Sequence, residues 1–235
     1  MMDKKFWVAF TLVKGIGAVR LRALLDYFGD AESAWNASPF DLASAGLTAK
    51  LAQRVLETRA SLNLEQYLAQ IEAQGINVLT WADPEYPAKL KEIDQPPPVL
   101  YLRGNFSSED AWAVAIVGTR AVTAYGRQVA EETAAALAQN GVTVVSGLAR
   151  GVDAVAHSAA LKAGGRTLAI LGSGVDRIYP PEHRAMAEKI ALQGAVISDY
   201  APGTPPESAN FPPRNRIISG LSLAVVVIEA AETSG

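Results

Sequence analysis

The chain has 235 residues, no cysteine, and 21 Lys plus Arg against 24 Asp plus Glu for a formal net charge of −3. That excludes a uniformly basic nucleic-acid coat, disulfide scaffolds, thiolate metal sites and cysteine nucleophiles. With 49% hydrophobic and 19% charged residues it can bury a substantial core, as one large domain or two smaller ones. Only two histidines, His157 and His183, are present, so no metal site is expected. The N-terminal stretch MMDKKFWVAFTLVKGIG has a short apolar run broken by Lys14 and lacks a small-residue cleavage site. No window reaches the roughly 18 apolar residues of a membrane span. The expected location is cytoplasmic, with no membrane partner.

Residues 1–82 carry 8 basic and 8 acidic side chains and read as short helices. Helical spacing covers Lys4 to Val13. After Gly15-Ile16-Gly17 it resumes from Ala18 to about Tyr27, with Val19, Leu21, Leu24, Leu25 and Phe28 on one face. Further helical stretches run from Asp41 to Ala45, Leu47 to Glu57 and Leu62 to Gln74, punctuated by Gly46 and Gly75. This predicts an all-helical N-terminal domain over residues 1–82. Pro84, Pro87 and Pro96-Pro97-Pro98 mark residues 83–112 as an extended connector and edge segment.

From residue 113 to 235 apolar runs alternate with helical patterns. The runs are Ala113 to Val117, Val142 to Val145, Thr167 to Leu171, Ala195 to Ile197 and Ala224 to Ile228. The helices are Tyr125 to Asn140, Val152 to Ala163 and Glu182 to Gln193. Continuous apolar strands bridged by helices require a parallel sheet covered on both faces, so the predicted class is α/β, a Rossmann-like domain behind a small helical one.

In such a sheet the ligand crevice lies beyond the carboxyl ends of the strands. The residues there are Gly118-Thr119-Arg120, then Ser146-Gly147-Leu148-Ala149-Arg150-Gly151, then Gly172-Ser173-Gly174, and Ser198-Asp199. Glycine lets backbone amides approach an anion and arginine adds a bidentate partner, so these loops predict a phosphate-binding crevice; tight turns are the plain alternative. No G-x-x-x-x-G-K-[ST] occurs, and Gly172-Ser173-Gly174-Val175-Asp176-Arg177 lacks the third glycine of the dinucleotide fingerprint. Nicotinamide and P-loop nucleotide binding are therefore disfavoured, and no cofactor is expected. In Phe211-Pro212-Pro213-Arg214-Asn215-Arg216 two prolines start a helix whose first turn carries two cations against its dipole. Either an anionic ligand or an internal carboxylate (Asp153, Asp199 or Glu229) answers them.

The strings Ala115-Ile116-Val117-Gly118-Thr119-Arg120, Tyr125-Gly126, Ser146 through Asp153 with Ala156-His157, Tyr179-Pro180, and Phe211-Pro212 with Arg214-Asn215-Arg216 resemble the DprA/Smf family of DNA-processing proteins. The connector, with Tyr86-Pro87, Pro97-Pro98 and Leu100-Tyr101, resembles it too. The resemblance implies a protein that binds and protects single-stranded DNA in natural transformation and loads the RecA recombinase, with a homodimer in the full-length protein. It implies further chain after Thr233-Ser234-Gly235. It also implies that Gly118, Thr119 and Arg120 contact the DNA backbone, helped by a basic residue shortly after the Tyr-Pro pair, here Arg184.

Taken together, the predicted DNA phosphate-binding set is Gly118, Thr119, Arg120, Ser146, Gly147, Arg150, Gly172, Ser173, Gly174, Arg184, Arg214, Asn215 and Arg216. No catalytic residue is assigned. Asp153 reads as a residue that caps the helix and bridges loops, and His157 as a satisfied polar residue. Gly15-Ile16-Gly17 with Arg20 and Arg22 resembles a helix-hairpin-helix or an ordinary turn, and Trp7, Trp35 and Trp81 are stacking candidates or core. The rival class is a nucleotide-binding or nucleotide-hydrolysing Rossmann-like enzyme, with Glu229 as its acid or base.

Overall fold

The computed structural model describes residues 4–231. It divides into two compact units, Met1–Tyr86 with Asp94–Leu100, and Pro87–Ile93 with Tyr101–Gly235.

In the first unit α1 (Lys4–Leu12), α2 (Ala18–Phe28), α3 (Ala31–Asn36), α4 (Pro39–Ser44), α5 (Ala49–Ser61) and α6 (Leu64–Ala73) precede one strand, β1 (Asn77–Thr80). Polar residues fix the helix starts. Asp30, Ser38, Thr48 and Asn63 each accept a bond from the amide three residues on. Phe10, Leu21, Leu24, Leu42 and Val55 form the buried interior, with Phe10 edge-on to Trp35 at 5.1 Å. Trp7 and Trp35 are therefore core side chains. Arg20 donates to the Gly15 carbonyl and Arg54 to that of Lys14, so the Gly15–Gly17 turn is held by its own arginines. The all-helical expectation is corrected by β1. The β-branched and apolar residues of Ile76-Asn77-Val78-Leu79-Thr80 favour extended backbone once Gly75, at φ 66°, has ended α6.

The second unit contains α7 (Ala88–Lys91), β2 (Val99–Gly104), β3 (Ala113–Gly118), α8 (Ala124–Gln139), β4 (Thr143–Ser146), α9 (Val152–Lys162), β5 (Thr167–Ile170), α10 (Arg184–Gln193), β6 (Ala195–Ser198), α11 (Phe211–Gly220) and β7 (Ala224–Ile228). Its strands run in the order β2-β6-β5-β4-β3-β7. β2 pairs antiparallel with β6, Tyr101 opposite Ser198, and the other pairs are parallel. The stretch 83–112, expected to be an extended connector, is more regular than that. Its prolines sit at element boundaries, Pro87 as the cap of α7 and Pro98 just ahead of β2, so they punctuate regular structure without interrupting it.

β4, β5 and β6 are buried along their whole length, which is why their sequences are mostly apolar, with Thr143, Ser146, Thr167 and Ser198 as buried polar residues at the strand ends. α8 and α9 pack through Ala130, Ala134, Ala138, Ala156, Ala159 and Ala160, small side chains that permit close approach, over Ile116 and Val144. Arg166 clamps Asp110 with Nε at 3.1 Å and Nη2 at 2.9 Å, and the Thr143 hydroxyl donates to the same carboxylate. The chain proceeds from β3 outward to β6 and then crosses back to lay β7 on the other flank of β3. That reversal creates a switch point between β3 and β7, where open α/β sheets place ligands.

Ile116 is fully buried beneath α8 and α9. Ile116→Ala is expected to cost about 2–5 kcal/mol. In urea unfolding this should appear as a lower midpoint with an unchanged m value.

Candidate functional site

A cavity of about 650 Å³ opens at this switch point, lined among others by Gly118, Arg120, Asp153, Phe211, Arg214 and Arg216. Of the residues expected to bind phosphate, it brings together Gly118, Arg120, Arg214, Asn215 and Arg216. Thr119, Ser146, Gly147, Arg150, Gly172, Ser173, Gly174 and Arg184 lie outside its lining.

The cations have separate fates. Arg120 is exposed, forms no ion pair among the described residues, and holds its guanidinium 5.8 Å above the Phe211 ring. Arg184 is also exposed, at the start of α10. Arg150 pairs with Glu182 at 2.6 Å; this bond raises the Arg150 pKa and lowers that of Glu182. Arg216 pairs with Asp199 at 2.7 Å. Arg214 is buried, 5% exposed, and donates from Nη1 to the carbonyls of Gly147 (2.9 Å) and Ile170. An internal carboxylate therefore answers Arg216, and backbone carbonyls answer Arg214.

Most loop glycines are required by internal packing. A Cβ on Gly118 would overlap the Ile228 carbonyl, one on Gly147 the Arg214 guanidinium, one on Gly172 the Phe211 ring, and one on Gly174 the Asp176 carboxylate. Ser146 is buried and donates to the Ile116 carbonyl, and buried Ser173 donates to that of Arg177. Loop amides are likewise engaged. Thr119 donates to Ile228, Gly174 to Thr204, and both Gly147 (3.1 Å) and Ala149 (3.2 Å) to Asp153. The amide cradle read from the glycines is thus largely spent on building the loops.

Asp153 is buried in the first turn of α9, but it does not cap that helix: the N-cap position, Gly151, has no side-chain cap bond, and the Asp153 carboxylate accepts from the loop amides of Gly147 and Ala149. Burial pushes its carboxyl up, while the nearby Arg214 charge and the amides of Ala149 and Gly147 pull it back. Glu229, at φ 52°, accepts from the amide and hydroxyl of Thr123. Those bonds hold its carboxyl below the usual range and tie the residue after β7 to the start of α8. His157 is fully buried. The Thr167 hydroxyl donates to the Val144 carbonyl, so it accepts from His157 Nδ1–H at 2.7 Å. Burial, then the charges of His183 and Arg214, lower the His157 pKa to about 3.

Sequence reading missed the role of the Phe211 ring. Phe211 opens α11 ahead of Pro212 and Pro213, which fix the helix start and so place the ring beneath Arg120, with Tyr179 tilted against it at 6.0 Å. The Phe-Pro-Pro string was the available signal.

A family model described as DNA recombination-mediator protein A matches residues 77–235. The chain belongs to this family. Within the DNA recombination-mediator protein A family it is similar to Protein Smf of Synechocystis sp., 43% identical over 238 residues that cover 99% of this chain and 60% of that protein. It is also similar to the DNA processing protein DprA of Bacillus subtilis, 40% identical over 173 residues, covering 73% and 58% respectively. The chain thus spans three fifths or less of the length of these curated relatives. The X-ray structure of DprA from Streptococcus pneumoniae superposes with a TM-score of 0.84 at 31% identity, covering 100% of this chain and 81% of that one. A Helicobacter pylori DprA structure, described for its single-stranded DNA binding mode, gives a TM-score of 0.60 at 31% identity over 68% of this chain and 71% of its own. Among the described residues no helix is long and apolar enough to cross a membrane, and no group of three or more His, Cys, Asp or Glu could hold a metal ion.

The depressed pKa of His157 carries a stability consequence. Its folded-state value lies below the ordinary 6.5, so the unfolded chain takes up a proton that the folded chain refuses. The stabilisation is complete above pH 6.5 and falls as pH drops toward about 3, at up to about 1.4 kcal/mol per pH unit. His157→Gln should flatten the pH dependence between 6.5 and 5 in denaturant titrations; an unchanged slope would contradict the buried neutral imidazole.

Proposed function

We propose that this chain binds single-stranded DNA in the crevice between β3 and β7, with Arg120 on the phosphate backbone and the rings of Phe211 and Tyr179 beside the bases. The observation that carries this reading is Arg120 itself, an exposed and unpaired cation at the carboxyl end of β3, above an aromatic ring and at the rim of a cavity. Phosphate contact gives affinity that falls with salt and depends little on sequence, and an aromatic face accepts any unstacked base. Exposed Arg184 is the second basic contact, on the far side of the Tyr179–Pro180 corner. Ser146, Gly147, Gly172, Ser173, Gly174 and Arg150 are engaged by packing, hydrogen bonds and an ion pair outside the cavity lining, and Arg216, within the lining, is paired with Asp199.

Family membership supports the wider role. We infer that the protein works in the cytoplasm, shields incoming single strands and delivers them to a RecA recombinase, and that the full-length protein acts as a homodimer. The rival reading, a nucleotide hydrolase, is weakened for Glu229 as an acid, because Thr123 holds that carboxylate in its ionised form, and both of its oxygens already accept from Thr123. It cannot donate a proton near neutral pH.

Fluorescence anisotropy with a labelled single-stranded oligonucleotide over a salt series tests the crevice. Arg120→Ala is expected to weaken binding to all sequences alike and to make the slope of log K against log salt shallower by about 0.7. Unchanged affinity and slope would remove Arg120 from the site.

A further inference from the structure

The guanidinium of Arg214 is the one arginine head group lining the crevice that is almost wholly withdrawn from solvent. It reaches from α11 to the carboxyl ends of two central strands. Nη1 donates to the carbonyl of Gly147, the residue after β4, and to that of Ile170, the last residue of β5. The opposite side of Gly147 is also held, since its amide donates to Asp153 Oδ2 at 3.1 Å. No side chain fits at position 147, because a Cβ would fall on the Arg214 guanidinium. Glycine and arginine thus specify each other.

The segment they hold is the Gly147–Gly151 loop. Leu148 within it adopts φ 57°, a left-handed conformation that a branched side chain does not take unless its surroundings impose it. Beyond it, the amide of Val152 donates to the Thr119 carbonyl, and Gly151 passes so close to Thr119 and Arg120 that a Cβ there would overlap their backbone. A path therefore runs from Arg214 by hydrogen bond to Gly147, along the loop backbone to Gly151, and by close approach to the backbone of Arg120.

We propose that Arg214 is a positioning residue: its buried guanidinium fixes the Gly147–Gly151 loop, which in turn holds the backbone of Arg120 at the crevice rim, and it sets affinity without touching the ligand. This rests on the single-strand reading above. A direct phosphate ligand and a positioning residue leave different signatures. Removing a ligand eliminates a released counterion and makes the salt slope shallower, whereas loosening a positioning residue lowers affinity at every salt concentration and leaves the slope alone.

The test compares Arg214→Met, Arg214→Lys and Gly147→Ala with the unmodified chain by oligonucleotide anisotropy over a salt series, alongside hydrogen exchange of the 147–152 amides without DNA. Arg214→Met is expected to bind roughly tenfold more weakly with an unchanged slope. Arg214→Lys, which can still donate to both carbonyls, should recover most of the loss. Gly147→Ala reaches the same contact from the loop side and should reproduce the Met phenotype if Arg214→Met does not fold. Exchange in the loop should quicken in both weakened variants. Wild-type affinity in a folded Arg214→Met chain, or a slope shallower by about 0.7, would overturn the proposal. If the unmodified chain binds no single-stranded DNA, the functional reading fails, and the exchange data still decide whether Arg214 holds the loop.

Discussion

The carbonyls at the ends of β4 and β5 converge on one buried guanidinium, and the shape of the crevice depends on that convergence. Taking a cation out of water is costly, and the cost is tolerable only when fixed dipoles and a nearby carboxylate replace the lost hydration. Arg214 finds the Gly147 and Ile170 carbonyls, with Asp153 as the neighbouring opposite charge. Burial pulls the Arg214 pKa down and Asp153 resists that pull; an arginine stays charged throughout. The same carboxylate accepts from the amides of Gly147 and Ala149, so Arg214 holds a carbonyl of the loop while Asp153 holds two of its amides.

The chain carries a net charge of −3, so a basic site on it has to be local. The arginines near the strand ends divide by partner. Arg150 meets Glu182, Arg216 meets Asp199, Arg214 is internal, and Arg120 is left with an aromatic ring. Arg120 and Arg184 remain exposed, with no ion pair among the described residues. A similar economy governs the helix starts. The first turn of α8, an obvious place for an external anion, is already supplied with one by Glu229.

Much of the fold was legible because burial on both faces leaves a plain trace. The runs at 143–146, 167–170 and 195–198 are apolar except at the strand ends, where Thr143, Ser146, Thr167 and Ser198 stand, because no face of β4, β5 or β6 meets solvent. The helices read at Tyr125 to Asn140 and Val152 to Ala163 differ by at most one residue at each end from α8 and α9. Elements held by few residues were harder to read. β1 has four residues, and α7 and β2 were hidden by flanking prolines whose effect is positional. At the site, composition located the strand-end loops but could not show which way a glycine faces. Gly147 gives the same letter whether its missing side chain makes room for a phosphate or for Arg214. The Phe211 ring escaped notice for a related reason, since its partner Arg120 lies far away in sequence and only the β3–β7 switch point brings them together.

The most direct test of this account is a crystal structure of the chain with a short oligothymidylate. A phosphate is expected within hydrogen-bonding distance of the Arg120 guanidinium, with at least one base against the Phe211 or Tyr179 ring and Arg214 still on the Gly147 and Ile170 carbonyls with no contact to DNA. A strand seated away from the β3–β7 crevice, or one that draws Arg214 off those carbonyls onto phosphate, would contradict it.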